Sequence, residues 1–186
     1  SELETLLTDV ERLLDESRRV AERVLKEVKE LLDEWEKRHK ELADRIRELL
    51  RRVEEEMKRA NLDEEMKKRL EDELRRVDEK IKERDEDVKR EKRRIEEKLE
   101  RIKERSDREE KRVRKRLEDL RRRDLKDEEV RREATDLRRE IKEHTDEVEK
   151  KLEELAREIE ELLERSERSA EELRKEIEKL LEEIRR

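Results

Sequence analysis

The apolar residues of this chain recur every eighteen positions. Val10 leads to Val28 and Ile46, the pair Leu13 and Leu14 to Leu31 and Leu32 and then to Leu49 and Leu50, and Leu3 to Ala21, His39 and Met57. Ser17 leads to Trp35 and Val53 in the same way. Eighteen residues taken in five steps is 3.6 per step, the pitch of an undistorted α-helix. A heptad repeat, at 3.5 per step, forces left-handed supercoiling. The grid therefore predicts long, nearly straight helices with one apolar stripe each.

The unit returns in the second third, where Met66, Ile102 and Leu120 form one series, Val77, Ile95 and Val113 another, and Ile81, Leu99 and Leu117 a third. It returns again in the last third, with Leu137, Leu155 and Leu173, with Ile141, Ile159 and Ile177, and with Val148, Ser166 and Ile184. Between thirds the phase slips by one residue, about 100° of helical rotation. A continuous helix would turn its stripe away from its partners there, so the chain must break at both places.

Residue types at the breaks suit helix ends. In Ala60-Asn61-Leu62-Asp63-Glu64-Glu65, Asn61 suits the left-handed position that closes a helix and Asp63 the N-cap of the next. In Arg123-Asp124-Leu125-Lys126-Asp127 the cap falls to Asp127, and Ser1 with Glu4 has the spacing of a capping box. Helices are expected over residues 2 to 60, 64 to 123 and 128 to 186, with turns at 61 to 63 and 124 to 127. Each helix of about 59 residues is roughly 88 Å long, and connections this short make successive helices antiparallel. The expected fold is all-α, a single-chain, single-domain, up-down-up three-helix bundle.

Register supports that topology. Folding the chain back at Leu62, and again at the second break, brings Val10, Val113 and Leu137 to one height. It brings Val28, Ile95 and Leu155 to another, and Ile46, Val77 and Leu173 to a third. Leu3, Leu120 and Val130 close one end, and Met57, Met66 and Ile184 the other. Low apolar content with abundant charge is also the signature of disorder, but a disordered chain has no reason to satisfy two registers along its whole length. The middle helix carries more basic than acidic residues and both neighbours the reverse. Ion pairs between helices therefore favour this association, although each exposed pair contributes only about 0 to 1 kcal/mol.

Composition closes off several function classes. Charged residues are 65% of the chain, against about a quarter in an ordinary domain. Gly, Pro, Cys, Phe and Tyr are absent and there is one Trp, which removes disulfide scaffolds, thiolate metal sites, thiol nucleophiles and glycine-rich phosphate loops. Apolar residues never exceed two in succession, far short of the roughly 20 that span a membrane. The start, Ser1-Glu2-Leu3-Glu4, has no secretory character. A net charge of −7 with both signs interspersed favours solubility. The basic runs at Arg112 to Arg116 and Arg121 to Arg123 are flanked by acids and lack interleaved aromatics, so no nucleic-acid partner is expected.

Two heights break the apolar rule. One brings together His39, Arg84 or Asp85, and Ser166; the other brings together Ser17, Ser106, and His144 or Thr145. His39, Asp85 and Ser166 are the residue types of a nucleophilic triad. A closed bundle offers such a triad no cleft or oxyanion donors, and a hydrogen-bonded layer that fixes register is the better reading of both sets. The two histidines, expected roughly 33 Å apart along the axis, cannot share a metal ion. Lys92 and Glu110 fall on stripe positions and are expected to extend their charges outward on apolar stems. Trp35 reads as a core filler. No catalytic, cofactor or metal site is expected.

The five layers per eighteen residues, the absence of Gly and Pro, and surfaces built almost wholly of Glu, Lys, Arg and Asp resemble computationally designed, parametrically generated three-helix bundles. That resemblance implies a hyperstable structural scaffold made to test idealised geometry. It implies no natural activity, no ligand or partner, and a soluble monomer without a native compartment, cytoplasmic in a recombinant host. The alternative is a spectrin-like or coiled-coil spacer that separates or docks partners. Natural spacers usually carry heptads, stutters, and scattered Gly or Pro.

Overall fold

The structure is a computed structural model that describes residues 2–122 and 126–186. It is an all-α three-helix bundle: α1 is Glu2–Arg59, α2 is Glu64–Arg122 and α3 is Asp127–Arg185. None of these helices is long and apolar enough to cross a membrane. Each forms for the reason its pattern gives: strong helix formers throughout, with one stripe of Leu, Ile, Val and Ala to bury.

The chain divides into two compact units, to which all three helices contribute. One comprises Ser1–Glu30 with Ile95–Arg157, the other Leu31–Arg94 with Glu158–Arg186. In the first unit, Leu7, Val10 and Leu14 of α1 pack with Val113, Leu117 and Leu120 of α2 and with Val130, Ala134, Leu137 and Ile141 of α3. Leu3 packs against the same cluster. The start of α1 therefore meets the end of α2 and the start of α3, and the expected Val10, Val113, Leu137 layer lies within one core. Val28, Ile95 and Leu155 of this unit are all buried.

The second unit repeats the arrangement with the other halves of the helices. Ile46, Leu50 and Val53 pack with Leu70, Val77 and Ile81 and with Ala170, Leu173 and Ile177, and Met57 and Met66 lie against the cluster that contains Ile184. Among the described residues no large hydrophobic side chain is exposed.

Charges fall as the helix compositions imply. In the first unit α2 pairs outward through Arg114 to Asp15 (2.8 Å) and Arg121 to Glu11 (2.6 Å) on α1. It reaches α3 through Arg112 to Glu140 (2.9 Å) and Arg116 to Glu133 (3.1 Å). In the second, Arg69 meets Glu183 (2.8 Å) and Lys80 meets Glu176 (3.1 Å). Lys92 extends to Glu36, and Glu110 accepts from Arg114 (2.9 Å) and lies 3.5 Å from Arg18, so both stripe charges find partners at the rim.

The helix ends depart from expectation in two details. Asn61 does not adopt a left-handed conformation: no residue among those described has positive φ. The Ala60 N–H still donates to the Glu56 carbonyl (2.9 Å), so α1 unwinds without the strain that a left-handed residue with a side chain carries. Asp63 is the N-cap of α2. Its Oδ1 accepts from the Met66 N–H (2.8 Å), while its carbonyl accepts from the Lys67 N–H (3.0 Å). Asp127 is not the corresponding cap. It is the first residue of α3, and the carbonyl of Lys126 takes the opening bonds from Glu129 (3.0 Å) and Val130 (3.2 Å). Asp127 acts instead as one of three acids in the first turn, where the helix dipole favours negative charge. Ser1 lies outside the described residues, as do Asp124 and Leu125 of the second expected turn.

The two aspartates should therefore respond differently to substitution. Asp63→Ala is expected to cost about 1 kcal/mol through the lost cap, whereas Asp127→Ala loses only a dipole interaction of about 0.3 kcal/mol or a little more. Guanidinium unfolding of the two variants checks this, and equal losses would contradict the assignment.

Candidate functional site

Polar side chains stand between helices at the two expected heights, one in each unit: buried in the second, where His39 and Ser166 lie in the core, and half-buried in the first. In the second unit His39 occupies the position that Leu3, Ala21 and Met57 hold elsewhere on α1, and it is 6% exposed. Its Nε2 lies 2.8 Å from Asp85 Oδ1, and Arg47 Nη2 donates to Asp85 Oδ2 at 2.7 Å. Burial acts to raise the Asp85 pKa, but the hydrogen bonds from His39 and Arg47 outweigh it and hold the carboxyl below its ordinary range. Asp85 is thus ionised at neutral pH and can only accept, so His39 Nε2 carries the proton it donates. His39 Nδ1 is buried and has no hydrogen-bond partner.

Ser166 does not join this pair. Its hydroxyl oxygen accepts from the Trp35 indole Nε1–H (3.1 Å). With Nε2 on Asp85 and Nδ1 unbonded, His39 makes no bond to the serine, and the three residue types do not assemble as a nucleophile, base and orienting acid. Trp35 is a core filler, as its position suggests, but it also satisfies its own N–H. Arg84 completes the layer from α2: Nε donates to Ser169 Oγ (2.8 Å) and Nη2 to the Ser166 carbonyl (2.9 Å). Ser169 in turn donates to that carbonyl (3.2 Å). Burial pushes the Arg84 pKa down against the opposing charge of Asp85, and its Nη1 is buried without a partner.

Sequence reasoning missed Ser169 and the depth of Arg84. The signal for Arg84 was present: it stands on the eighteen-residue series of Met66, Ile102 and Leu120, where a side chain must point inward.

In the first unit the expected layer separates into two pairs. Thr145 Oγ1 donates to the Ile141 carbonyl (2.8 Å), so in the 2.5 Å contact between Ser17 and Thr145 the proton comes from Ser17. His144 Nε2 and Ser106 Oγ are 3.5 Å apart, the outer limit of a hydrogen bond. Ser17, Ser106 and His144 line a cavity of about 20 Å³ together with Leu14 and Val113, the size of a single water site. Burial lowers the His144 pKa, only partly offset by Glu109 and Glu147.

Among the described residues no group of three or more His, Asp or Glu side chains is placed to hold a metal ion. No protein-family model, curated protein or solved structure matches the chain.

Two outcomes follow from these layers. Ser166→Ala leaves the buried Trp35 N–H unpaired and is expected to cost about 1 to 3 kcal/mol; chemical unfolding followed by the fluorescence of the single tryptophan measures it, and a change within about 0.5 kcal/mol would contradict the bond's role. His144 binds its proton less readily in the folded chain than its ordinary value of 6.5. The unfolded chain therefore takes up more protons as pH falls through that value, and stability drops. Comparing the melting temperatures of the native chain and His144→Leu at about pH 7.5 and about pH 5.5, roughly one unit either side of that value, should show the larger fall in the native chain. Parallel falls would remove His144 as the cause.

Proposed function

We propose that the chain is a parametrically generated, computationally designed three-helix bundle: a hyperstable, monomeric structural scaffold whose role is to hold its own geometry. In this reading it is not an enzyme and has no native substrate, cofactor, nucleic-acid or membrane partner, and no native compartment.

The observation that carries the reading is agreement across levels. One eighteen-residue grid runs through α1, α2 and α3. Most of its positions are filled by buried aliphatic side chains; the exceptions are two heights where polar side chains bond between helices and the stripe charges Lys92 and Glu110, which pair at the rim. Local propensity, hydrophobic period and charge distribution all specify the same bundle, which is the condition for a sequence with one deep energy minimum. Idealised helices joined by short turns are the backbones from which such sequences are built, and they are typically hyperstable.

Thermal unfolding followed by circular dichroism, together with sedimentation equilibrium, tests the proposal. The expected result is a melting temperature above about 90 °C and the mass of one chain. Stable dimers or trimers would mean that the stripes are completed between chains. Melting in the ordinary range of about 45 to 65 °C would favour a natural spacer over an idealised scaffold.

A further inference from the structure

Ser17 of α1, Ser106 of α2 and His144 of α3 meet at one height of the first unit, one polar side chain from each helix, and all three line the cavity of about 20 Å³. The rest of its wall is Leu14, Val113, Ile141 and four charged side chains. A buried water needs about 10 to 15 Å³ and about two to four polar partners. The cavity has room for one, and in a space this small the occupant touches every group of the wall.

Direct bonds leave the three polar groups with spare capacity. Ser17 gives its proton to Thr145, whose own proton goes to the Ile141 carbonyl, so Ser17 Oγ faces its surroundings with lone pairs only. His144 Nε2 and Ser106 Oγ are 3.5 Å apart, beyond the usual N–H···O range of about 2.7 to 3.2 Å. That contact alone satisfies neither group well.

We infer that the cavity binds one water molecule, which bridges Ser17, Ser106 and His144 and ties the three helices together at this height. Water suits the set because it both donates and accepts. One of its protons goes to Ser17 Oγ, and one of its lone pairs takes the Ser106 hydroxyl proton. Its second proton meets the Nε2 lone pair when the ring carries its proton on Nδ1; its second lone pair meets Nε2–H in the other tautomer. All three groups are satisfied in either case. Such a bridge is enthalpically nearly as good as a direct hydrogen bond, and it joins the two separate pairs of this layer into one network. The site belongs to the packing of this unit and is independent of the scaffold reading.

Water itself is the probe. Oxygen-17 relaxation dispersion counts the waters held long enough to tumble with the protein and does not register exchanging hydroxyl protons. The native chain is expected to hold one more such water than Ser106→Val, in which the hydroxyl is lost and a methyl group occupies its space. Val88 already stands eighteen residues earlier on the same series. Ser17→Val, which matches Val53 on its own series, should lose the same single water, and circular dichroism confirms that each variant is folded. Independently of any variant, the methyl groups of Leu14, Val113 and Ile141 in the native chain should show Overhauser contacts at the water frequency, with the sign of a bound molecule. An equal count in the native chain and both variants would overturn the inference, as would the absence of those methyl contacts.

Discussion

Everything in this molecule depends on burying one narrow apolar stripe per helix in a chain that is only 28% apolar. Each fully buried Leu, Ile or Val contributes about 1.5 to 3 kcal/mol, whereas an exposed ion pair contributes about 0 to 1 kcal/mol. The abundant charges therefore select which helices associate more than they hold the bundle together. A stripe that kept its phase but lost its partners would leave too little burial to offset the chain entropy of helices this polar. The clusters in both units use side chains from all three helices, which is why the register matters at each height.

The two polar heights are the places where this economy is broken. At one, the indole N–H of Trp35, two serines, a histidine and an arginine are drawn into the core and largely satisfied by bonds between helices. Such a network weakens the core locally and specifies one arrangement, since a shift of one turn would strand each group without its partner. Two nitrogens of this layer, His39 Nδ1 and Arg84 Nη1, are buried without a hydrogen-bond partner, so the network is not complete. The other height is more modest: Ser17, Ser106 and His144 line a cavity of about 20 Å³, and burial lowers the His144 pKa.

Much of the fold was legible in the sequence because a period of eighteen residues states which way every side chain faces. Val10, Val113 and Leu137 could be placed in one core before any coordinates, as could Ile46, Val77 and Leu173. The heights of His39, Ser166 and His144 were legible for the same reason. What periodicity does not encode is the direction a polar group takes within its layer. Whether Ser166 meets His39 or Trp35 depends on side-chain rotamers and on separations of an ångström or two, and Ser169, just off the stripe, enters only because a guanidinium reaches it. Helix ends were legible by residue type but not by residue: Asp63 caps through its side chain, whereas Asp127 stands one position inside α3 and the Lys126 carbonyl takes its place. At the end of α1, Asn61 was suited to a left-handed turn that the chain does not use.

Methyl–methyl nuclear Overhauser contacts read the register without intermediaries. In a sample with labelled Leu, Ile and Val methyls, Val10 should show contacts to the methyl groups of Val113 and Leu137, and Ile46 to those of Val77 and Leu173. Contacts joining Val10 to Val77, as parallel neighbours would give, or no contacts between helices at all, would contradict the antiparallel register from which the buried stripe and the polar heights both follow.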